Sequence, residues 1–278
     1  MTMETNKILC GDCEEVMRSF PDNCIDLIVT SPPYADQRKH TYGGIEPDKY
    51  VEWFLPKSKE MFRVLKPTGS FILNIKERVV GGERHTYVLE LILALRKQGW
   101  LWTEEYIWHK KSSTPGKWPN RFRDSWERLL QFNKNKQFSM YQKSVMVPIG
   151  DWAEGRLNRL RGEDFNRREN KTKSGFGMNQ SSFVGKKMVN PTNVLYMTTE
   201  SFNKGHSAVF PIKLPEFFIK LFTSEENIVL DPFAGSGTTA VATINLNRKF
   251  LAIDNVEENC NTIRQRIKSE CNQNGKLW

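Results

Sequence analysis

Residues 25–29, Ile-Asp-Leu-Ile-Val, are apolar enough for a short buried strand, and just beyond them the chain meets Pro32 and Pro33. Neither proline can donate to a sheet ladder, so the strand has to stop there. Their fixed φ angles hold the turn in one shape and leave their carbonyls as acceptors. The Ser31 hydroxyl stands before those carbonyls and the Tyr34 ring after them. Such a turn suits a flat ring with an exocyclic amino group: the oxygens take the amino hydrogens and the tyrosine covers a face. An ordinary strand-ending turn is the other reading these residues permit.

The surrounding pattern alternates strand and helix. Strand-like runs end at Cys10–Asp12 and cover 70–75, 100–108, 128–132, 228–230 and 250–253, and helical spacing occupies 14–20, 47–65, 87–98, 215–222, 238–246 and 257–271. Lys66-Pro67-Thr68-Gly69 is expected to stop the second helix before the strand at 70 begins. This rhythm predicts an α/β sheet, for which 278 residues suffice with room for one insertion. From about 133 to 195 the rhythm breaks into Gly, Asn, Ser and basic residues. The expected organisation is therefore an α/β domain of 1–133 and 196–278 interrupted by a basic region, 134–195.

Net charge is +9, and its location is more informative than its size. Between Lys134 and Asn190 there are twelve basic against five acidic residues, so most of the excess sits in the irregular segment. A polyanion is the expected partner. The five cysteines are too few and too unevenly spaced for a disulfide framework. Cys10 and Cys13 form a Cys-x-x-Cys, but a zinc site would want a second ligand pair, so no metal is expected. A redox pair opening a helix is the remaining use of that spacing. No apolar run approaches the roughly 20 residues needed to span a bilayer. The first seven residues also lack a signal-peptide layout, so a cytoplasmic protein is expected.

A second turn follows the strand at 228–230. Asp231, Pro232, Phe233, Ala234, Gly235, Ser236, Gly237 and Thr238 lead from strand to helix, and the glycines let the backbone turn tightly and approach a ligand. Asp254 ends the next strand, where a carboxylate can accept from ribose hydroxyls. The order strand, glycine turn, helix, strand, acid points to a nucleoside cofactor. The spacing is not Gly-x-Gly-x-x-Gly and no P-loop lysine is present, so dinucleotides and triphosphates fit less well.

Asp-Pro-Phe-Ala-Gly-Ser-Gly-Thr-Thr resembles the S-adenosylmethionine motif of amino-methylating DNA methyltransferases, and Thr-Ser-Pro-Pro-Tyr resembles their catalytic motif. With the catalytic motif first, a basic segment next and the cofactor motif last, the chain is similar to the permuted β class of that family over almost its whole length. The resemblance implies a Rossmann-like methyltransferase sheet with helices on both faces and an irregular target-recognition insertion. It implies that Asp12 takes the cofactor's exocyclic amine, and that His206, Ser207 and Phe210 help hold its methionine end. It further implies duplex DNA as partner, with a cognate restriction endonuclease and a second copy of the chain as further partners.

The implied reaction is direct methyl transfer to an exocyclic base nitrogen. Ser31 and the Pro32 carbonyl would take the amino hydrogens, Pro33 would keep the turn stiff, and Tyr34 would stack on a base that has left the helix. Methylation of cytosine carbon 5 would need a nucleophilic cysteine, usually after proline, and none here follows a proline. Serine at the first motif position is associated in the family with cytosine N4, and Asp or Asn with adenine N6, which stays the alternative. Arg156, Arg159, Arg161, Arg167, Arg168, Lys171 and Lys173 are the expected phosphate and base-edge contacts. Trp118, Arg121 and Arg123 form a second basic stretch with an aromatic. A nicotinamide oxidoreductase and a non-catalytic DNA-binding protein are the competing classes, and both leave the Ser-Pro-Pro-Tyr turn unexplained.

Overall fold

A computed structural model describes residues 3–35, 44–111, 120–150, 155, 157, 159–160, 183–199 and 210–274, with side chains to residue 270. The first elements are β1 (Lys7–Cys10), α1 (Cys13–Arg18), β2 (Ile25–Thr30), α2 (Tyr50–Val64) and β3 (Leu65–Ile75). There follow β4 (Val79–Val80), β5 (Glu83–Arg84), α3 (Tyr87–Lys97), β6 (Leu101–Lys110) and β7 (Trp126–Asn133). Short β8 (Val147–Pro148) and β9 (Met188–Val189) precede β10 (Val194–Met197). The chain closes with α4 (Lys213–Phe222), β11 (Ile228–Asp231), α5 (Thr238–Asn245), β12 (Lys249–Asp254) and α6 (Glu257–Asn274).

Eight strands form one sheet in the order β1-β12-β11-β2-β3-β7-β6-β10. Neighbours are parallel except where β7 runs against β3 and β6. Alternate side chains of β12 show that both faces are covered. Leu251 and Ile253 join the core built from α1, α2 and α3, whereas Phe250 and Ala252 pack with Val241 of α5 and Ile263 and Ile267 of α6. The helices bury the stripes their spacing predicts, such as Tyr87, Val88, Leu91, Ile92 and Leu95 in α3.

One expected stop signal behaves differently. Lys66-Pro67-Thr68-Gly69 does end α2, yet it lies inside β3, which begins at Leu65. Leu65 pairs with Ile25 and Ser70 with Leu27, so the four residues bulge out against one, Asp26. A proline is tolerated at a bulge because no ladder hydrogen bond is required of it. Lys66 closes the bulge on Asp26 at 2.7 Å. Gly69 lies so near that an added Cβ would sit 2.8 Å from the Asp26 carbonyl oxygen.

The chain divides into two compact units, Met1–Tyr141 with Asn193–Trp278, and Gln142–Thr192. The smaller unit is narrower than the 134–195 expected. Val194 and Leu195 already pair with Ile107 and Trp108 of β6, and Tyr141 donates its backbone N–H to Leu221. Within it, β8 and β9 form a two-stranded ladder. Among the described residues no helix is long and apolar enough to cross a membrane.

Candidate active site

β2 leads through α2 to β3 on one side, and β11 leads through α5 to β12 on the other, so the winding reverses between β2 and β11. These two strands are paired, Val229 to Leu27 and Leu230 to Ile28. In an open α/β sheet a crevice forms at such a reversal, outside the carboxyl ends of the strands. Here it is a cavity of about 370 Å³, within the range of ligand sites. The segments Gly11–Cys13, Ser31–Tyr34, Asp231–Ser236 and Asp254–Asn255 line it. Three strand spacings separate the β1 end from the β2 end, roughly 14 Å, so an extended ligand can lie across them.

The two motifs meet at Asp231. Its Oδ1 accepts from the Thr30 hydroxyl at 2.6 Å and the Phe233 N–H at 3.1 Å, and its Oδ2 from the Thr239 hydroxyl at 2.6 Å. Burial pushes its carboxyl up to about 6, with the three donors opposing the shift. Asp231 touches the cavity, and its carboxylate joins the two turns and the first turn of α5.

The glycine turn needs left-handed backbone, φ +52° at Gly235 and +79° at Gly237. A Cβ on Gly237 would come 2.8 Å from Ile263, whereas one on Gly235 would meet nothing within 4 Å. Gly235 therefore borders open cavity, and a ligand can approach its backbone. Asp254 holds the turn from β12: Oδ2 accepts from the Gly235 N–H at 2.8 Å, and Oδ1 from Val256 N–H and Asn259 Nδ2, both at 3.0 Å. With two acceptor sites per oxygen, Oδ2 keeps one for a ligand hydroxyl. Arg266, which sequence reading passed over, braces the far side through the Ser236 carbonyl and the Thr238 hydroxyl. Phe233 is anchored against α2, its ring centroid 5.7 Å from Trp53 and 6.4 Å from Phe54.

At the β1 end Asp12 caps α1, Oδ1 accepting from Glu14 N–H at 2.8 Å, while Oδ2 faces the Lys57 ammonium at 3.5 Å. Lys57 lines the cavity with Trp53, over whose ring it sits at 5.2 Å. Neither residue carries a motif, and each reaches the cavity because α2 packs on α1. Cys13 is buried in α1, and burial pushes its thiol up to about 12. The redox use of Cys-x-x-Cys is thereby corrected, since a reactive thiol needs the opposite shift. Among the described residues no group of three or more potential ligands could hold a metal ion.

The Ser-Pro-Pro-Tyr turn is tied into the antiparallel strand. Ser31 Oγ lies 3.3 Å from Tyr34 Oη, which donates to Glu127 Oε2 at 2.7 Å. Glu127 also accepts from Asn74 Nδ2 at 3.1 Å and pairs with Lys110 at 2.5 Å. Burial, then the Glu127 charge, raises the Tyr34 phenol well above its ordinary value, so it stays protonated. Of the two proline carbonyls, that of Pro33 is taken by the Tyr50 hydroxyl at 3.0 Å, leaving the Pro32 carbonyl as the acceptor on offer. Glu127, Asn74 and Lys110 all line the cavity, and so does Trp108, which carries Lys110 over its ring at 4.9 Å. No sequence signal pointed to these four, which come from the ends of β3, β6 and β7.

Phe210 and Thr238 line the cavity as well. His206, Ser207, Arg156, Arg161, Arg167, Arg168, Lys171, Lys173 and Trp118 lie outside the described residues, whereas Arg159 is described and exposed. Arg121 and Arg123 flank Phe122, which is 95% exposed, just before β7.

A family model described as DNA methylase, covering N6 and N4 enzymes, matches residues 25–265. The Type II methyltransferase M.PvuII of Proteus hauseri is 30% identical over 275 residues, 91% of this chain and 81% of its own length. M.BglII of Bacillus subtilis is 26% identical over 98% of this chain and 71% of its own. Among solved structures, PvuII DNA methyltransferase (cytosine-N4-specific) superposes with a TM-score of 0.71 at 25% identity, over 98% of this chain and 93% of that one. A DNA modification methylase of Thermus thermophilus, complexed with S-adenosyl-L-methionine, gives 0.63 at 25% identity, over 95% and 93%.

Proposed function

This chain belongs to the N6/N4 DNA methylase family, and from that premise we propose that it methylates the N4 amine of a specific cytosine in duplex DNA. S-adenosylmethionine, the family's cofactor, supplies when bound a methyl group made electrophilic by a sulfonium centre. The residues fit it: Gly235 opens its backbone to the cavity, Asp254 keeps an acceptor for a ribose hydroxyl, and Asp12 stands three strands from Ser31 with Lys57 beside it. Family membership removes the nicotinamide oxidoreductase from contention.

The observation that carries the proposal is the pair of oxygens beside the cofactor turn, Ser31 Oγ and the Pro32 carbonyl. An aromatic amine is a poor nucleophile because its lone pair is drawn into the ring. Two acceptors on its hydrogens return electron density to nitrogen and stabilise the charge that develops on methylation. Tyr34 would cover the base face. A base inside a duplex cannot reach a turn at the bottom of a cavity, so it must be flipped. Basic residues of the 134–195 region, Arg159 among them, would hold the phosphates. Serine at the first motif position, and likeness to a cytosine-N4-specific enzyme, favour cytosine over adenine. The motif order supports the β class, and the name of M.PvuII supports a restriction-modification setting, hence a cognate endonuclease and a cytoplasmic location.

Methylating DNA with labelled S-adenosylmethionine, digesting it to nucleosides and identifying the product tests the reading. N4-methylcytosine is expected; N6-methyladenine would overturn the base assignment, and no methylated base would overturn the activity.

A further inference from the structure

The Ser31–Tyr34–Glu127 chain has a direction. A carboxylate has no proton to give and a phenol has one. The 2.7 Å contact between Tyr34 Oη and Glu127 therefore uses the tyrosine proton. That leaves Tyr34 only able to accept from Ser31, so the serine proton is spent on Tyr34. The lone pairs of Ser31 Oγ are then what it presents to the cavity. Without the carboxylate, Tyr34 could donate to Ser31, and the serine could turn its own proton toward the target amine, where it would repel an amino hydrogen.

Glu127 is held for this purpose from several directions. Asn74 of β3 donates to the same oxygen that takes Tyr34, and Lys110 of β6 pairs with the other. Residue 127 lies at the start of β7, the strand that runs against its neighbours, so its side chain meets the cavity edge where the parallel strands end.

Resting on the methylase reading above, we propose that Glu127 is the residue that fixes Ser31 as an acceptor and finally takes the proton the target amine releases. As the bond from the methyl carbon to nitrogen forms and its bond to sulfur breaks, nitrogen becomes positive. One N–H bond then breaks, and that proton goes to Ser31 Oγ. The serine's own proton passes to Tyr34 and the tyrosine's to Glu127 Oε2. The amine, serine and tyrosine end neutral, Glu127 ends as a carboxylic acid, and solvent takes its proton when product leaves. Tyr34 passes a proton on without resting as phenolate, because burial keeps its phenol protonated.

The groups facing Glu127 are Lys110 from β6, Tyr34 and Asn74, with Tyr87 of α3 near enough to feel its charge. Single-turnover methylation of duplex DNA at saturating S-adenosylmethionine reads the transfer step directly. Glu127→Gln should slow the step by about 10²-fold or more, while cofactor and DNA dissociation constants change by no more than a few-fold, and Glu127→Asp, which keeps the carboxylate, should recover part of the rate. Should that variant fail to fold by circular dichroism, Tyr34→Phe, which keeps the ring, is read the same way. A wild-type rate in the folded variant would overturn the assignment, as would a Glu127→Asp variant no faster than Glu127→Gln. Wild-type product identity reports on the methylase reading alone; the ratio of variant to wild type reports on Glu127, whichever base carries the amine.

Discussion

The two turns that face each other at the winding reversal are stiffened by opposite means. Ser31–Tyr34 is rigid because its prolines have lost freedom; Phe233–Gly237 is shaped because its glycines have gained it. Their supports differ as well. The glycine turn is held by Asp231, by Asp254 of the next strand and by Arg266 of the last helix, none more than about 30 residues away. The proline turn has its backbone held by Tyr50, 17 residues on, but its tyrosine by Glu127, 93 residues on. A turn that cradles a ligand can be specified by neighbouring elements. A turn that must aim one hydroxyl and one carbonyl at an amine takes one partner from a strand the chain reaches much later.

The largest effect should come from the proline turn. Ser31→Ala removes one acceptor from the amine, and single-turnover methylation should fall about 10²–10³-fold, in line with loss of one preorganised polar contact, while DNA binding by gel shift is retained. Unchanged turnover would mean that this turn does not meet the amine. Breaking the glycine turn should instead be felt as stability. Gly237→Ala adds left-handed strain and a methyl driven onto Ile263, together about 2–4 kcal/mol, measured by denaturant unfolding.

The joint between the turns has a pH signature. Asp231 has a folded carboxyl near 6 against an ordinary 3.8, so the fold prefers it protonated. Its contribution to stability is fully present below about 4 and is lost as pH rises through 6, an amount of roughly 3 kcal/mol at 1.36 kcal/mol per unit. The stability difference between wild type and Asp231→Asn should fall by that amount from pH 4 to 7; a flat difference would show the carboxyl is not buried as described. Smallest in stability should be Gly235→Ala, where strain of about 1–2 kcal/mol is expected without a clash. The Cβ would enter the cavity, so calorimetry should show weakened S-adenosylmethionine binding with DNA binding unaffected.

Much of this was legible in the chain. Apolar runs and their punctuation predict the alternating strands and helices, and both motifs stand contiguous in sequence. Their functions in the turn were less evenly readable. Asp231 and Asp254 look alike as strand-ending acids and each accepts three hydrogen bonds, yet Asp231 reaches across to Thr30 of β2 whereas Asp254 takes Gly235, Val256 and Asn259. Nothing in the spacing of residues separates those cases, because the difference lies in which donors the sheet brings to each carboxylate. Lys66-Pro67-Thr68-Gly69 reads as a stop and becomes a bulge, since pairing with Ile25 resumes the ladder before the proline.

The sequence by itself determined the α/β alternation, the two turns and the order in which they occur, because proline, glycine and apolar periodicity act over a few bonds. Only the tertiary structure decided that β2 and β11 lie side by side with the winding reversing between them, and that β7 enters against its neighbours. That antiparallel entry puts Glu127 beside a tyrosine 93 residues away. Polar groups that meet at strand ends are chosen by sheet order, and sheet order is settled by the burial of both faces at once, which no local stretch of the chain encodes.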